Sequence, residues 1–502
     1  MENLPVLIVG AGPTGLTLAC ELVRRGINVR IIDKAPQYHR GSRAKGIQPR
    51  SLEIMNDLGL ADAFAEAGIS DLIIRQYNGA ELIGDIRREV FLRSDTRFPQ
   101  GLILPQWKVE EILRGKLKTF GIEIETGTEL LSFDHDDQHV IALLRSDIGN
   151  EKLTCAYLVG CDGGKSTVRK MAGITFEGET HEDEKMYVGD VEIEGLVPDA
   201  WHIWLSPELG FAYALCPFKG TDSWQVQAVA VPDAAGDLAE PGLGVFRKLF
   251  AERTGMTNVV LKNETWASLY RVNVRMANRY REGRVFIAGD AAHAHTIAGG
   301  LGMNTGIQDA YNLGWKLALV LQQSVGESLL NTYEEERRPI AAWTLKTSSQ
   351  RQKITADSIK SGGNGRLQKM GSRDTTQLDL NYRSSSLSVD IAKNSKALHA
   401  GDRSPDMLLS SGSWLSDFYR GTHFSVVLFT EDHELTQLLS LRFNDAVKTI
   451  LLNSEPAAYF GDTQNMYVIR PDGHIGMIAP YGFNEELVEY LDSFLSNNTG
   501  RN

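Results

Sequence analysis

The chain opens with an apolar run that does not alternate. Val6-Leu7-Ile8-Val9 stops at Gly10, as a short strand buried on both faces does. Leu16, Ala19, Cys20 and Val23 then recur at helical spacing until Gly26 provides a stop. A second strand pattern, Asn28-Val29-Arg30-Ile31-Ile32, ends in Asp33. The pattern predicts strand, helix, strand, and the turn between the first two reads Gly10-Ala11-Gly12-Pro13-Thr14-Gly15.

Further along, residues 76–105 are irregular, 107–117 have helical spacing, and strand patterns return near 122–125 and 140–144. Between 185 and 275 the period drops to two and aromatics accumulate, as in Trp201-His202-Ile203-Trp204-Leu205 and Phe211-Ala212-Tyr213-Ala214-Leu215. Turn residues separate these runs at Ser206-Pro-Glu-Leu-Gly210 and Lys219-Gly-Thr-Asp222. The pattern predicts an antiparallel sheet inserted into the first domain. A long helix follows over 306–323, and another runs from Pro339 toward 358. Residues 359–402 are rich in Ser, Gly, Asn, Lys and Arg, beginning with Ser361-Gly-Gly-Asn-Gly365, and predict a connecting arm. The last hundred residues read as a strand at 423–429, a helix near 434–441, a hairpin turning at Pro471-Asp472-Gly473, and a closing helix over 485–495.

A G-x-G-x-x-G turn that follows a strand, opens a helix and has an acid about 20 residues on is a dinucleotide-binding fingerprint in its required context. The glycines let the backbone approach a pyrophosphate whose charge sits at the helix N-terminus. Asp33 is then placed for the adenosine ribose hydroxyls and argues against a 2′-phosphate at this site. The fingerprint alone leaves FAD and NAD open. Arg284-Val-Phe-Ile-Ala-Gly-Asp290 adds a second strand that ends in a carboxylate, followed by a glycine-rich loop through Gly299 and Gly302 into a long helix.

With 502 residues the chain has ample material for two or three domains. Its net charge of −12 disfavours nucleic acid and anionic membrane as partners. No uncharged apolar run approaches the ~18 residues of a spanning helix, and Glu2 sits where a signal peptide carries positive charge. Cys20, Cys155, Cys161 and Cys216 form no C-x-x-C pair, which suits a reducing cytoplasm and four small core residues. His293 and His295 read as loop histidines, and no metal site is expected.

Three segments spread over some 250 residues complete the picture: Ser42-Arg43-Ala44-Lys45-Gly46-Ile47-Gln48-Pro49-Arg50, Tyr157-Leu158-Val159-Gly160-Cys161-Asp162-Gly163-Gly164, and the Gly289-Asp290 stretch. With Tyr333-Glu-Glu-Glu-Arg337-Arg338-Pro339, they make the chain resemble the class A, single-component flavoprotein monooxygenases, the family of p-hydroxybenzoate hydroxylase. The resemblance is strong over residues 4–345 and leans to members that hydroxylate phenols, polyketides and antibiotics.

The resemblance implies an α/β fold: a Rossmann-type FAD-binding domain (1–75, 106–184 and 276–345), a β-sheet substrate domain (76–105 and 185–275), a helical arm (346–402) and a thioredoxin-like domain without C-x-x-C (403–502). It implies FAD as cofactor, held by Gly10, Gly12, Pro13, Thr14, Gly15, Asp33, Lys34, Arg43, Gln106, Leu130, Asp162, Asp290, Gly302, Met303 and Asn304. NADPH or NADH is the implied transient reductant, and a C4a-hydroperoxyflavin the implied oxidant of a small aromatic substrate with O₂. Arg43, His202 and Tyr213 are the candidate catalytic side chains, and Arg271 is a candidate anchor for an acidic substrate. A flavin dehydrogenase or oxidase, a Baeyer–Villiger or epoxidising enzyme, and a flavin-bearing binding protein stay open, as do monomer and homodimer. One departure stands out: Thr296-Ile297 replaces the proline-containing loop usual in the family, which puts the rigidity of that wall in doubt.

Overall fold

A computed structural model describes residues 4–87, 93–206, 209–296, 299–360, 373–392, 398–453 and 455–495. The Ser361–Gly365 run, Ile297 and part of the 206–210 turn lie outside the described residues.

The first apolar run forms the Val6–Val9 strand, buried at all four positions, in the middle of a six-stranded sheet. Its neighbours, Tyr157–Gly160 and Val29–Asp33, are both parallel to it, with Ile8 opposite Val159 and Ile31. Val285–Ile287 lies parallel on the far side of Tyr157–Gly160. Three adjacent parallel strands therefore end side by side, at Val9, Gly160 and Ile287. The loops that begin there carry Gly10, Asp162 and Asp290. In open α/β sheets a ligand binds outside the carboxyl ends of the strands.

The period-two region forms an eight-stranded sheet. Val260–Ala277, Phe176–Glu194, Ser223–Val229, Gly210–Pro217 and Ala200–Ser206 run antiparallel in that order. Ile73–Asn78 joins beyond Ala200–Ser206 in parallel, and His293–Ala294 closes the other edge. That last pairing ties the sheet to the loop after Val285–Ile287, so the two sheets meet at residues 288–295.

The helix expected to start at Pro339 begins earlier. Asn331–Lys360 is one helix with Pro339 inside it. The turn before the proline is fixed by buried ion pairs: Glu336 with Lys316 and Arg470, and Arg337 with Asp309. Those contacts outweigh the backbone hydrogen bond a proline removes. Its later turns (Trp343, Lys346, Thr347, Gln350) line the same cavity as the strand-end loops, so the first part of the expected arm is a cavity wall.

The last hundred residues contribute a five-stranded mixed sheet. Phe424–Leu428 runs parallel to Val447–Leu451 and antiparallel to Asn465–Ile469, which pairs with Ile475–Pro480. This unit is locked to the first by charge. Arg470, fully buried, donates to Glu336 and Asp472, and Glu336 also accepts from Lys316, Asn312 and Ser385. No helix among the described residues is long and apolar enough to cross a membrane.

Candidate active site

The glycines of the first turn divide the work. Gly10 has φ +105°, and a Cβ there would lie 2.4 Å from the Cys161 carbonyl oxygen. At Gly15 a Cβ would lie 2.1 Å from the Gly10 carbonyl oxygen. Both are therefore glycine so that strand, helix and the Asp162 loop can touch. Gly12 alone has nothing within 4 Å of its would-be Cβ and opens on a cavity, at the N-terminus of the Pro13–Val23 helix, which has no side-chain cap. Thr14 presses on Gly289, whose Cβ would meet its Oγ1 at 2.5 Å. Asp33 shapes the turn: its carboxylate accepts the N–H of Ala11 and of Ala35, each at 2.9 Å. Lys34 reaches the cavity beside it. Asp33→Ala removes the acceptor that fixes Ala11, and FAD retention is expected to fall about ten-fold. The flavin-to-protein absorbance ratio after gel filtration measures it, and an unchanged ratio refutes it.

At the second strand end, Asp162 accepts the N–H groups of Thr167 and Val168 at 2.6 and 3.1 Å through one oxygen. Its other oxygen is buried and unmatched within the protein, beside the cavity. Arg169 knits two loops together. It donates to Gly164 O and Ala291 O and lies 3.9 Å over the Phe176 ring. Asp290 is exposed on the cavity wall, and the half-buried Gly302 and Met303 line it at the start of the Gly302–Leu321 helix, another N-terminus without a side-chain cap.

Two expected cofactor contacts are corrected here. Asn304 does not face the cavity. It is fully buried, accepts from Gln48 N–H at 2.8 Å and donates to Gly46 O and Gly300 O, stapling the glycine loop to the Arg43 loop. Leu130 lies in the core, paired with Leu144 in the three-stranded sheet, and is not on the cavity wall. Gln106 does reach the cavity, although its amide is engaged: Oε1 accepts from Ala44 and Nε2 donates to Glu110. His293 Nε2–H donates to Asp309 at 2.7 Å, and Asp309 also accepts from Arg337 and Gly289. Burial opposes the charge on Asp309, but His293 and Arg337 hold its pKa below the ordinary carboxylate value. All four cysteines are buried thiols outside any disulfide, and Cys161 borders the cavity.

The eight-stranded sheet forms the opposite wall, and alternation decides which aromatics reach it. Trp201, Ile203 and Leu205 face the cavity, whereas His202 and Trp204 face away, into a core with Phe246 and Phe250. Phe211 is on the cavity side, but Tyr213 is not. Trp204 pairs with Tyr213 while Leu205 pairs with Phe211, so Ala212 is an extra residue, a β-bulge that flips the phase of the strand. His202 and Tyr213 are thus corrected as catalytic candidates. His202 is buried, bonded to Tyr77 OH and Val197 O, and burial lowers its pKa. Tyr213 is buried, donates to Phe246 O at 3.0 Å, and burial raises its pKa. Tyr213→Phe is expected to cost about 1 kcal/mol of stability and leave turnover unchanged. A fall in kcat above its fall in stability would restore the catalytic role. Arg43 and Arg271 both line the cavity from exposed positions.

The cavity between the walls measures about 2850 Å3, well beyond the roughly 300–1,000 Å3 of a site for one small ligand. Two uncapped helix N-termini, an open Gly12 and an unmatched Asp162 oxygen border it. Backbone N–H groups at helix N-termini suit a pyrophosphate at one end and a ring that accumulates negative charge at the other. FAD fits these residues.

A Rossmann-type sheet with three strand-end loops facing an aromatic-lined sheet defines a flavoprotein monooxygenase of class A. The chain belongs to the family described as FAD binding domain, which it matches over residues 3–348. It is 39% identical over 495 residues to a flavin-dependent monooxygenase of Mycobacteroides abscessus, covering 97% of this chain and 99% of that one. It is 33% identical to pentachlorophenol 4-monooxygenase of Sphingobium chlorophenolicum, covering 98% and 96%. Among solved structures it is similar to aklavinone-11 hydroxylase in ternary complex with FAD and aklavinone, with TM-score 0.83, 26% identity and coverage of 98% and 99%. The protein is an FAD-dependent monooxygenase.

Proposed function

We propose that this monooxygenase consumes NADPH or NADH and hydroxylates a phenolic or polyketide-like aromatic compound. The observation that carries the reading is the cavity face of the substrate sheet. There Met186, Val188, Trp201, Ile203, Leu205 and Phe211 present an apolar, aromatic wall to the strand-end loops. Relatives named for aromatic substrates support it: pentachlorophenol 4-monooxygenase and aklavinone-11 hydroxylase.

FAD bound in the cavity supplies the electron relay between NAD(P)H and O₂, one oxygen atom of which enters the substrate while the other leaves as water. Gly12 and the Pro13–Val23 helix N-terminus, with Lys34 and Arg43 nearby, would hold the pyrophosphate. Asp33 would set the turn for the adenosine end. Asp162 and Asp290 would accept from the ribityl hydroxyls, and the backbone at Gly302 and Met303 would serve the polar part of the ring. The apolar wall keeps water from the reacting oxygen and orients the aromatic carbon toward the ring edge. Gln227 is a polar group on that wall that can fix a substrate oxygen, whereas the Gln225 amide is engaged by Ser42 and Lys45. The C-terminal unit we read as thioredoxin-like, without dithiol chemistry because residues 403–502 contain no cysteine.

The test is NAD(P)H oxidation and oxygen uptake by the FAD-loaded protein with a panel of phenols and polyketides, with peroxide measured in parallel. Substrate-stimulated NAD(P)H oxidation with hydroxylated product and little peroxide supports the reading. Oxygen uptake that needs no NAD(P)H makes the protein an oxidase and overturns it.

A further inference from the structure

Arg43 rides on a loop, residues 39–46, that is gripped from two sides. On the cofactor side the grip is by backbone: Leu104 N–H donates to Lys45 O at 2.9 Å and Gln106 N–H to Ala44 O at 3.0 Å. On the substrate side it is by side chains of the cavity sheet. Gln225 Nε2 donates to Ser42 O, and Gln225 Oε1 accepts from Lys45 Nζ at 2.6 Å. The Lys45 ammonium lies 4.1 Å over the Trp201 ring. Trp266 packs on Gly41, where a Cβ would stand 2.5 Å from the indole.

Between Gln225 and Trp266, as the cross-strand partner of each, stands Asp190. Its exposure is 0%, and neither carboxyl oxygen closes a hydrogen bond of good geometry. The Ser42 hydroxyl is buried and unmatched in the same way, and Ser42 is the hydrogen-bonding group that faces Asp190. A sealed carboxyl costs several kcal/mol unless something bonds it, so a packing role would be served better by an apolar residue. We infer that Asp190 is a positioning residue that latches the Arg43 loop onto the substrate sheet through Ser42.

Ser42 can accept from a neutral carboxyl or donate to a carboxylate; what ionisation adds is the cost of desolvating a charge in that wall. Burial pushes the Asp190 pKa up to about 7, against the opposing pull of Ser42 and the Lys45 charge. Because the folded-state pKa lies above the ordinary 3.8, the latch is complete at low pH and weakens as pH rises through about 7. The other charged or titratable groups around it are Lys45, Arg43 and His39 on the loop. His39 lies edge-on to Trp266, and burial with Arg43 lowers its pKa from 6.5, so it titrates below this window. The inference rests on the proposed function only for its consequence, that the latch sets how firmly Arg43 is presented to the flavin.

The test reads the loop and not turnover. The FAD-loaded protein is digested briefly with trypsin at about pH 6.5 and about pH 8. Cleavage after Arg43 and Lys45 is followed by mass spectrometry and normalised to a free peptide of the same sequence. The wild-type loop is expected to be cut about four-fold faster at the higher pH, the ratio of ionised fractions for a group titrating near 7. Asp190→Asn, neutral at both values and of the same shape, should stay slow and lose the pH dependence. Asp190→Ala should be cut fast at both. An Asn variant that keeps the wild-type ratio overturns the inference, as does an Ala variant cut no faster than wild type at the lower pH. If the Ala variant does not fold, the Asn variant alone decides. Either failure leaves the hydroxylase reading standing, because digestion does not depend on it.

Discussion

Gly12→Val is expected to give a folded protein without its yellow colour. Of the three glycines in the first turn, only Gly12 has open space where a side chain would go, and that space is the cavity at the Pro13–Val23 helix N-terminus. The φ of Gly12 is −79°, ordinary for any residue, so valine costs the backbone little. Its methyl groups would occupy the volume where a pyrophosphate meets the uncapped N–H groups. FAD affinity should fall about 100-fold or more, some 3 kcal/mol, while far-ultraviolet circular dichroism stays that of wild type. Gly15→Val is the contrasting control. Its Cβ would sit 2.1 Å from the Gly10 carbonyl oxygen, so helix and strand cannot both keep their places. That variant should be insoluble. A yellow Gly12→Val protein would mean that the phosphates lie elsewhere.

Glu336→Ala should be the most damaging substitution away from the cavity. Glu336 is buried among Lys316, Arg470, Asn312 and Ser385, and removing it leaves two buried cations with Asp472 as their remaining carboxylate. Breaking a buried pair from one side costs about 3–5 kcal/mol. Unfolding should therefore begin with release of the C-terminal sheet, visible as early protease cutting after Arg470 on heating. Burial would raise the Glu336 pKa, but Arg470 and Lys316 hold it down to about 2. A carboxylate with a depressed folded pKa contributes its full stability above the ordinary 4.5 and loses it as pH falls toward 2. Wild-type protein should accordingly show an acid transition in that interval, and Glu336→Gln should unfold with less dependence on pH there. Equal thermal stability of Glu336→Ala and wild type would refute the interlock.

The strand-end loops were legible because their residues are contiguous and their types are constrained. A four-residue apolar run, a turn with glycines at fixed offsets and an acid at Asp33 have few other readings, and the Val285–Ile287 run into Asp290 repeats the logic. The cavity face of the eight-stranded sheet was half legible. Period two told that one face of Ala200–Ser206 would meet the cavity, but not which, since both rows are apolar and aromatic. On Gly210–Pro217 it misled, because Ala212 inserts a residue and no turn or glycine marks a bulge there. Asn304 misled differently: an amide beside a glycine loop suits a ring contact or a loop staple equally, and only the positions of Gly46 and Gln48, some 250 residues earlier, decide. The interlock around Glu336 was invisible for the same reason. Its partners come from three separate stretches, and a charge-rich Tyr333–Pro339 segment reads locally as a solvated helix face.

The helix Asn331–Lys360 has its first turns rooted in that interlock and its later turns, from Trp343 to Gln350, laid along the cavity. The C-terminal sheet lends none of its described residues to the cavity lining, yet its Arg470 anchors the first turns of a helix that does line it. Deleting the sheet would not yield a smaller working enzyme but one whose roof beam has lost its footing. Conversely, substitutions at the footing offer a way to reshape substrate preference from a distance without touching a single group inside.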